Sequence, residues 1–293
     1  MNHEQLDSLT QDLIEMLEKM DEGEENGFEM PFITLGFGAE NLVSKKQYTG
    51  FNLVKLSLTS YLKGYRSNVW ATYKQWQEKG CQVKKGEKST TIIWCKPVKY
   101  EVETTNSETG DVEIMENVVN VAKVYFVFNA CQVEGFKEDV KELEGTPKEN
   151  ALQFFANCGI KQEEYVGRAF YQPSTDTVYV PPYKDFKSEA EYVATLAHEY
   201  CHATGAKNRL NRDFKNRFGD EGYAFEELVA EIGAGMVAGY LGYEYQFGKN
   251  NLAYLKSWLK VLKNDRQAII RACSHAQKAF DYLVKCQEVS DEV

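Results

Sequence analysis

Apolar positions along the chain fall into stretches of different period. Leu6, Leu9, Leu13, Met16 and Met20 step by three and four with charged residues between them, which predicts a short amphipathic helix. The acidic run from Asp21 to Gly27 ends it. From 48 to 80 the spacing is mostly helical: Val69, Tyr73 and Trp76 share a face, and Gly80 stops the segment. Residues 90–95 and 118–128 are rich in β-branched and aromatic side chains and read as strands. Between them, 98–103 and 112–115 flank the polar run 106–111, a hairpin signal. Residues 132–150 are polar, charged and carry Gly145 and Pro147, as a linker does. Beyond it the pattern predicts a helix near 149–158, a short strand at 177–180, then helices at about 188–204, 224–241, 251–263 and 266–286. Ser188 with Glu191 makes an S-x-x-E capping box, and Gly205 is a helix stop. There are no internal repeats.

These elements predict an α+β protein in four parts. An acidic N-terminal helix and extension (1–29) precedes a small α+β domain (30–132), a linker (133–148) and a mainly helical domain (149–288). The N-terminal helix is expected to dock on the body; a partner-binding or DNA-mimicking acidic arm is the alternative. At 293 residues, 43% hydrophobic and 13% aromatic, the chain can bury a sizeable core, which excludes a disordered protein.

The net charge of −10 argues against nucleic acid when taken as one number. Its distribution argues otherwise. Residues 1–30 hold one Lys and ten acids (−9), and 31–100 hold twelve Lys/Arg and three acids (+9). Residues 101–150 hold four and twelve (−8), and 151–293 hold seventeen and nineteen (−2). A basic module rich in aromatic residues thus lies between two acidic stretches. Seven scattered cysteines with no CxxC pair fit reduced thiols in a cytoplasm. No signal-peptide pattern and no run of about eighteen apolar residues suggest export or a membrane partner.

The chemistry is concentrated in His198-Glu199-Tyr200-Cys201-His202, an H-E-x-x-H on the capped helix. At 100° per residue the two histidines sit one turn apart on one face and can share a Zn²⁺. Glu199, beside them, is placed to act as general base on a water whose pKa the metal lowers. Catalytic zinc usually takes a third protein ligand, and Glu227 on the 224–241 helix is the candidate. Glu231, about 40° away, would accept from a ligating imidazole. Exchanged roles for these two glutamates, or a solvated acidic helix face, are the alternatives. Tyr223 and His275 are candidates to stabilise an oxyanion; a purely structural His275 is equally compatible. Cys201 reads as a core thiol. The 177–180 strand is suited either to pairing with an extended peptide or to an ordinary sheet position.

Lys84, Lys85 and Lys88 cluster around Gly86, with Lys45, Lys46, Lys55, Lys63 and Arg66 upstream. Lysines near Tyr and Trp supply charge for phosphates and flat faces for bases, as single strands require. Tyr73 and Trp76, on the apolar face of their helix, are expected in the core. No RRM, KH or Cys/His finger pattern is present, so binding is expected to depend weakly on sequence.

Several segments resemble a known family. Tyr48-Thr-Gly50-Phe-Asn52, Trp70, Trp76, Gly80 to Lys88 and Val127-Phe128-Asn129 resemble the N-terminal single-stranded-DNA-binding domain of ArdC-type antirestriction proteins. Thr195 to Arg212, Phe218 to Glu231, Ser257-Trp258-Leu259 and Ser274 to Ala279 resemble their zincin-like metallopeptidase domain. The resemblance implies a protein of plasmids, phages or related mobile elements that shields incoming DNA from restriction, and it adds Tyr48 and Asn52 to the DNA-facing candidates. The expectation is a cytoplasmic monomer that binds single-stranded DNA and Zn²⁺ and has a possible protein substrate. Two rivals differ in one part each: a zinc protease with no DNA role, and a DNA-binding protein whose zinc only braces the fold.

Overall fold

The computed structural model describes residues 10, 11, 14, 15 and 18, and then 39–65, 67–105, 112–137, 147–212, 221–243, 259–265 and 267–288. Helix and strand are mixed, as an α+β class requires. Helix α1 (Gly50–Lys63) is followed by strand β2 (Val69–Thr72) and the short helix α2 (Tyr73–Glu78). The helical spacing of Val69, Tyr73 and Trp76 misassigns β2. Thr72, not Val69, marks the helix start: its side chain accepts from the Gln75 amide in a two-way capping box. Upstream, Val69, Trp70 and Ala71 are buried in a sheet, where β-branched and aromatic residues pack well.

That sheet has the order β1-β2-β5-β4, with β1 (Glu40–Asn41), β4 (Thr90–Thr105) and β5 (Val112–Asn129). β1 and β2 run parallel and the other pairs antiparallel. The separate strands expected within 90–103 and 112–128 are two continuous ones of 16 and 18 residues, paired in register from Thr90–Val127 to Thr105–Val112. At roughly 3.3 Å per residue this hairpin extends about 50 Å. Its polar tip, 106–111, lies outside the described residues. The start of the expected linker is structured: β6 (Val133–Glu134) pairs with β3 (Gln82–Val83). Around them Leu42, Val69, Ala71, Trp76, Cys81, Val83 and Val133 form a small core. Trp76 closes it by donating to the Phe128 carbonyl at 3.0 Å.

Helix α3 (Pro147–Asn157) opens the second half. A three-stranded sheet follows, in the order β7-β9-β8, from β7 (Lys161–Glu164), β8 (Phe170–Gln172) and β9 (Thr177–Val180). β9 falls where its pattern predicts, but it is the central strand, hydrogen-bonded on both sides. It cannot pair with a peptide substrate, and the alternative ordinary role is the correct one. β7 and β8 are too short and too polar for their periodicity to show.

The long helices described in this half are α4 (Glu189–Thr204), α5 (Glu221–Tyr240) and α6 (Ala268–Glu288). Ser188 caps α4 by accepting from the Glu191 amide at 3.1 Å, while the Glu191 carboxylate reaches back to the Lys187 amide at 2.8 Å, one residue beyond the box position. Of the expected 251–263 helix, 259–264 is helical and 251–258 lies outside the described residues. One apolar core runs through both halves, from Leu53, Val54, Leu56 and Leu58 on α1 to Ile269, Ala272, Cys273 and Ala276 on α6. Polar contacts reinforce this junction: the Gly50 amide donates to Gln277 Oε1 at 3.0 Å. At the N-terminus, Ile14 enters that core and Glu18 pairs with Lys263 at 2.6 Å. Leu6, Leu9, Leu13, Met16, Met20 and the acidic run lie outside the described residues.

α4 and α5 meet at Gly233. A Cβ there would stand 2.7 Å from Cys201 Sγ and 3.8 Å from the Ala276 carbonyl oxygen on α6. The Cys201 thiol is fully buried, as a core thiol should be, so it has little room to yield. Gly233→Ala is therefore expected to lower unfolding free energy by about 1–2 kcal/mol, overpacking exceeding the gain in helix propensity. In a Cys201→Ala background the same change is expected to be neutral or stabilising. Urea unfolding of the four proteins of that cycle checks it, and additive effects would contradict it.

Candidate metal centre

α4 and α5 bring His198, His202 and Glu227 to one point. The two histidine Nε2 atoms are 3.1 Å apart, Glu227 Oε2 is 3.4 Å from His198 Nε2, and Glu227 Oε1 is 3.5 Å from His202 Nε2. Donors about 2.0–2.1 Å from a shared tetrahedral ion lie about 3.3–3.4 Å from one another, so this triangle fits one face of such a site. Among the described residues these three form the group able to hold a metal ion.

The far nitrogens of both rings are also engaged. His198 Nδ1 is 3.1 Å from Glu231 Oε2, the role expected for Glu231. His202 Nδ1 is 3.2 Å from Glu226 Oε1, a partner that helix geometry alone missed. Glu226 points about 100° from Glu227 on a helical wheel and so looked remote from the site. The two rings both direct Nε2 toward Glu227, however, and each meets a different neighbouring acid with Nδ1, His198 with Glu231 and His202 with Glu226. A signal was available: two ligating histidines call for two acceptors. Arg212 in turn grips Glu226, with Nη2 2.8 Å from Oε1 and Nε 3.0 Å from Oε2.

Glu199 is buried in α4 beside His198. Tyr223 is half-buried on α5, one turn before Glu227. His275 lies half-buried on α6 with its ring 6.0 Å from that of Phe225. Its own burial, with Lys278 and Arg212 nearby, lowers its pKa.

The candidates in the basic module are dispersed. Lys84, Lys85 and Lys88 project from the exposed turn after β3, where Gly86 adopts φ 88°, and Lys84 Nζ donates to the Cys131 carbonyl at 2.9 Å. Lys45 and Lys46 are exposed after β1. Tyr48 is half-buried and its hydroxyl accepts from Asn41 Nδ2 at 3.1 Å. Asn52 is occupied structurally: its amide donates to the Ile93 carbonyl at 2.6 Å and accepts from the Ile93 amide at 2.8 Å, tying α1 to β4. Lys55 is buried, Tyr73 is exposed rather than in the core, and Arg66 lies outside the described residues. Sequence reasoning found the hairpin signal but overlooked the hairpin's exposed aromatic face. Where β4 and β5 leave the core, Trp94, Val98, Tyr100, Val121, Lys123 and Tyr125 share one exposed face, and the Trp94 and Tyr125 rings lie edge to face 6.5 Å apart. Aromatic residues at alternate positions in strands that outrun the core were the available signal.

The charges of the metal-free centre are mutually dependent. Burial opposes a charged imidazole, but Glu227 and Glu231 hold His198 well above its usual value, and Glu226 and Glu227 push His202 up to about 9. Burial would raise the Glu227 carboxyl, yet the two histidines hold it far below the carboxylate range. Burial does raise Glu231. In the metal-free protein the His–Glu pairing stabilises the fold fully below the unfolded imidazole value near 6.5, and this contribution is lost as pH rises through about 9. A metal must displace the same protons. The rise in melting temperature on adding Zn²⁺ is therefore expected to grow from pH 6 to pH 9, with protons released on binding at pH 7. Equal shifts at both pH values, with no buffer dependence in the calorimetric heat, would contradict this.

Residues 3–128 match the N-terminal domain of anti-restriction factor ArdC, and residues 149–275 match a zincin-like metallopeptidase family, MPTase-PolyVal. The uncharacterized protein y4eC of Sinorhizobium fredii is 35% identical over 246 residues, covering 83% of this chain and 80% of that protein. A DNA primase TraC of Escherichia coli is 36% identical over 261 residues, but the chain spans only 24% of the primase. The metal-free crystal structure of the antirestriction ArdC protein from plasmid R388 superposes with a TM-score of 0.71 at 37% identity, covering 94% of this chain and 97% of that one. The Mn(II)-bound structure of the same protein gives 0.69 at 36% identity, covering 93% and 96%. With both domains matched in order and the metal donors assembled, the chain belongs to the ArdC antirestriction family.

Proposed function

We propose that the chain is a single-stranded-DNA-binding antirestriction protein of a plasmid, phage or related mobile element, working in the cytoplasm and carrying a metal-dependent peptidase centre. The observation that carries the reading is the closure of His198, His202 and Glu227 into one donor triangle on the helix that also bears buried Glu199. A Zn²⁺ held there would polarise a carbonyl and lower the pKa of a water. Glu199, buried beside these donors, would accept a proton from the attacking water and return it to the leaving amine. Tyr223 on α5 and His275 on α6 would serve as donors to a developing oxyanion. No helix among the described residues is long and apolar enough to cross a membrane.

The DNA role is supported by family membership, by the lysine turn at 84–88 and by the aromatic face of the hairpin. Two relatives, of which the chain spans 24% and 18%, are named DNA primases. Phosphates would meet Lys45, Lys46, Lys84, Lys85 and Lys88, with Arg66 proposed alongside them. Bases would stack on Trp94, Tyr100 and Tyr125. With Asn52 bound to the Ile93 backbone, its contribution is to hold the hairpin rather than to touch a base.

Affinity for a labelled oligonucleotide is expected to fall by about 0.7 log units per contacted phosphate per log unit of salt. The triple Lys84/Lys85/Lys88→Ala variant should reduce that slope by about 2, and Trp94→Ala should cost about 1–3 kcal/mol. Unchanged binding in both variants would remove the DNA assignment and leave a protease.

Glu199→Gln is expected to keep the metal and lose hydrolysis by about 10²–10⁴-fold. Comparing proteins cleaved in cells that express wild type or this variant identifies the substrate. Full antirestriction by the variant would reduce the metal to a structural brace.

A further inference from the structure

The two imidazoles of the metal centre are oriented by unequal means. On the His198 side, Glu231 Oε2 meets Nδ1, while Glu231 Oε1 is buried with no hydrogen-bond partner among the described residues. On the His202 side, both Glu226 oxygens are gripped by Arg212, whose side chain is only 4% exposed. The guanidinium does more than pair with Glu226. Its Nη1 donates to Thr204 Oγ1 at 2.9 Å and its Nη2 to the Cys201 carbonyl at 2.6 Å. Both acceptors lie in the last turn of α4, whose terminal carbonyls lack helical donors and whose dipole favours a cation. The Arg212 amide also donates to the Gly205 carbonyl at 2.9 Å, and the preceding residues fold back in the same way, Leu210 onto Thr204 and Asn211 onto Ala206. A buried guanidinium is tolerated only when its donors are paired, and here Nε, Nη1 and Nη2 all are.

We infer that Arg212 is a positioning residue for the metal centre, acting on His202 through Glu226. It joins the end of the helix that carries His202 to the carboxylate on α5 that His202 addresses. A Glu226 pinned on both oxygens accepts from Nδ1–H at a fixed point, which sets the tautomer that leaves Nε2 with its lone pair towards the metal. Lysine cannot substitute fully: its single ammonium cannot grip a carboxylate side-on and reach two helix-end oxygens at once. His198 has no such arrangement, so the two imidazoles respond differently to loss of their carboxylates.

This inference rests on the metal-centre reading, and full-length protein tests both separately. Zn²⁺ affinity is measured by competition with a chromophoric chelator, and coordination by the visible spectrum of the Co²⁺ form, for wild type, Arg212→Met, Glu226→Gln, Glu231→Gln and the double variants Arg212→Met/Glu226→Gln and Arg212→Met/Glu231→Gln. Arg212→Met and Glu226→Gln should each weaken Zn²⁺ binding about 10–100-fold and change the Co²⁺ spectrum. Because they act through one imidazole, the double variant should be no weaker than the worse single one, whereas Arg212→Met and Glu231→Gln should combine multiplicatively. If Arg212→Met does not fold, Arg212→Lys should fold with intermediate affinity and a changed spectrum. Wild-type affinity and spectrum in Arg212→Met or Arg212→Lys, or multiplicative losses in the Arg212/Glu226 double variant, would overturn the inference. Failure of the wild type to bind Zn²⁺ or Co²⁺ would overturn the metal centre itself.

Discussion

The contact of Gly233 with Cys201 sets how near α5 can lie to α4, and the metal centre depends on that spacing. Cys201 stands between Glu199 and His202, and Gly233 stands two residues after Glu231. This tight contact between the helices is therefore immediately beside the donors. A carboxylate reaches only a few ångströms from its backbone, so Glu227 and Glu231 can meet imidazoles on the neighbouring helix only where the backbones nearly touch. Small residues continue the theme on the third helix, where Ala272, Cys273, Ala276 and Ala279 are buried in one stripe. The aliphatic core supplies cohesion, and one missing Cβ supplies the geometry.

Within that tight spacing, three of the centre's four buried carboxylates join two imidazoles and a guanidinium. Charges so far from water persist only when each is paired, and the pairing runs as a chain: Arg212 to Glu226, Glu226 to His202, Glu227 between both rings, Glu231 to His198. The chain is anchored at the Arg212 end and open at the Glu231 end. A divalent ion held by His198, His202 and Glu227 would add positive charge among these carboxylates and offset their crowding.

The zincin-like half was legible to the extent that its donor set follows one helical period. His198, Glu199 and His202 are readable from spacing, and Glu227 from the need for a third donor on a helix with small neighbours. Glu226 was not, because its role depends on which way a ring on another helix turns. Arg212 was not, because it lies in a loop and acts across space. In the first half, Val69–Thr72 carry a helical period yet form a strand, since pairing with β1 and β5 outweighs local preference. Asn52 belongs to a recognisable motif, but only the fold shows that its amide serves β4.

The continuity of the core has a consequence for synthesis. Leu53, Val54, Leu56 and Leu58 are buried in the same core as α6 residues that follow them by more than 200 positions. At roughly 5–20 residues per second, a ribosome needs about 10–40 s to cover that distance. Throughout that interval the part of the α1 apolar face that packs on α6 has no partner. The amino-terminal half emerges first but is completed last, and a nascent chain interrupted before α6 presents exposed hydrophobic surface to the chaperones and proteases around it.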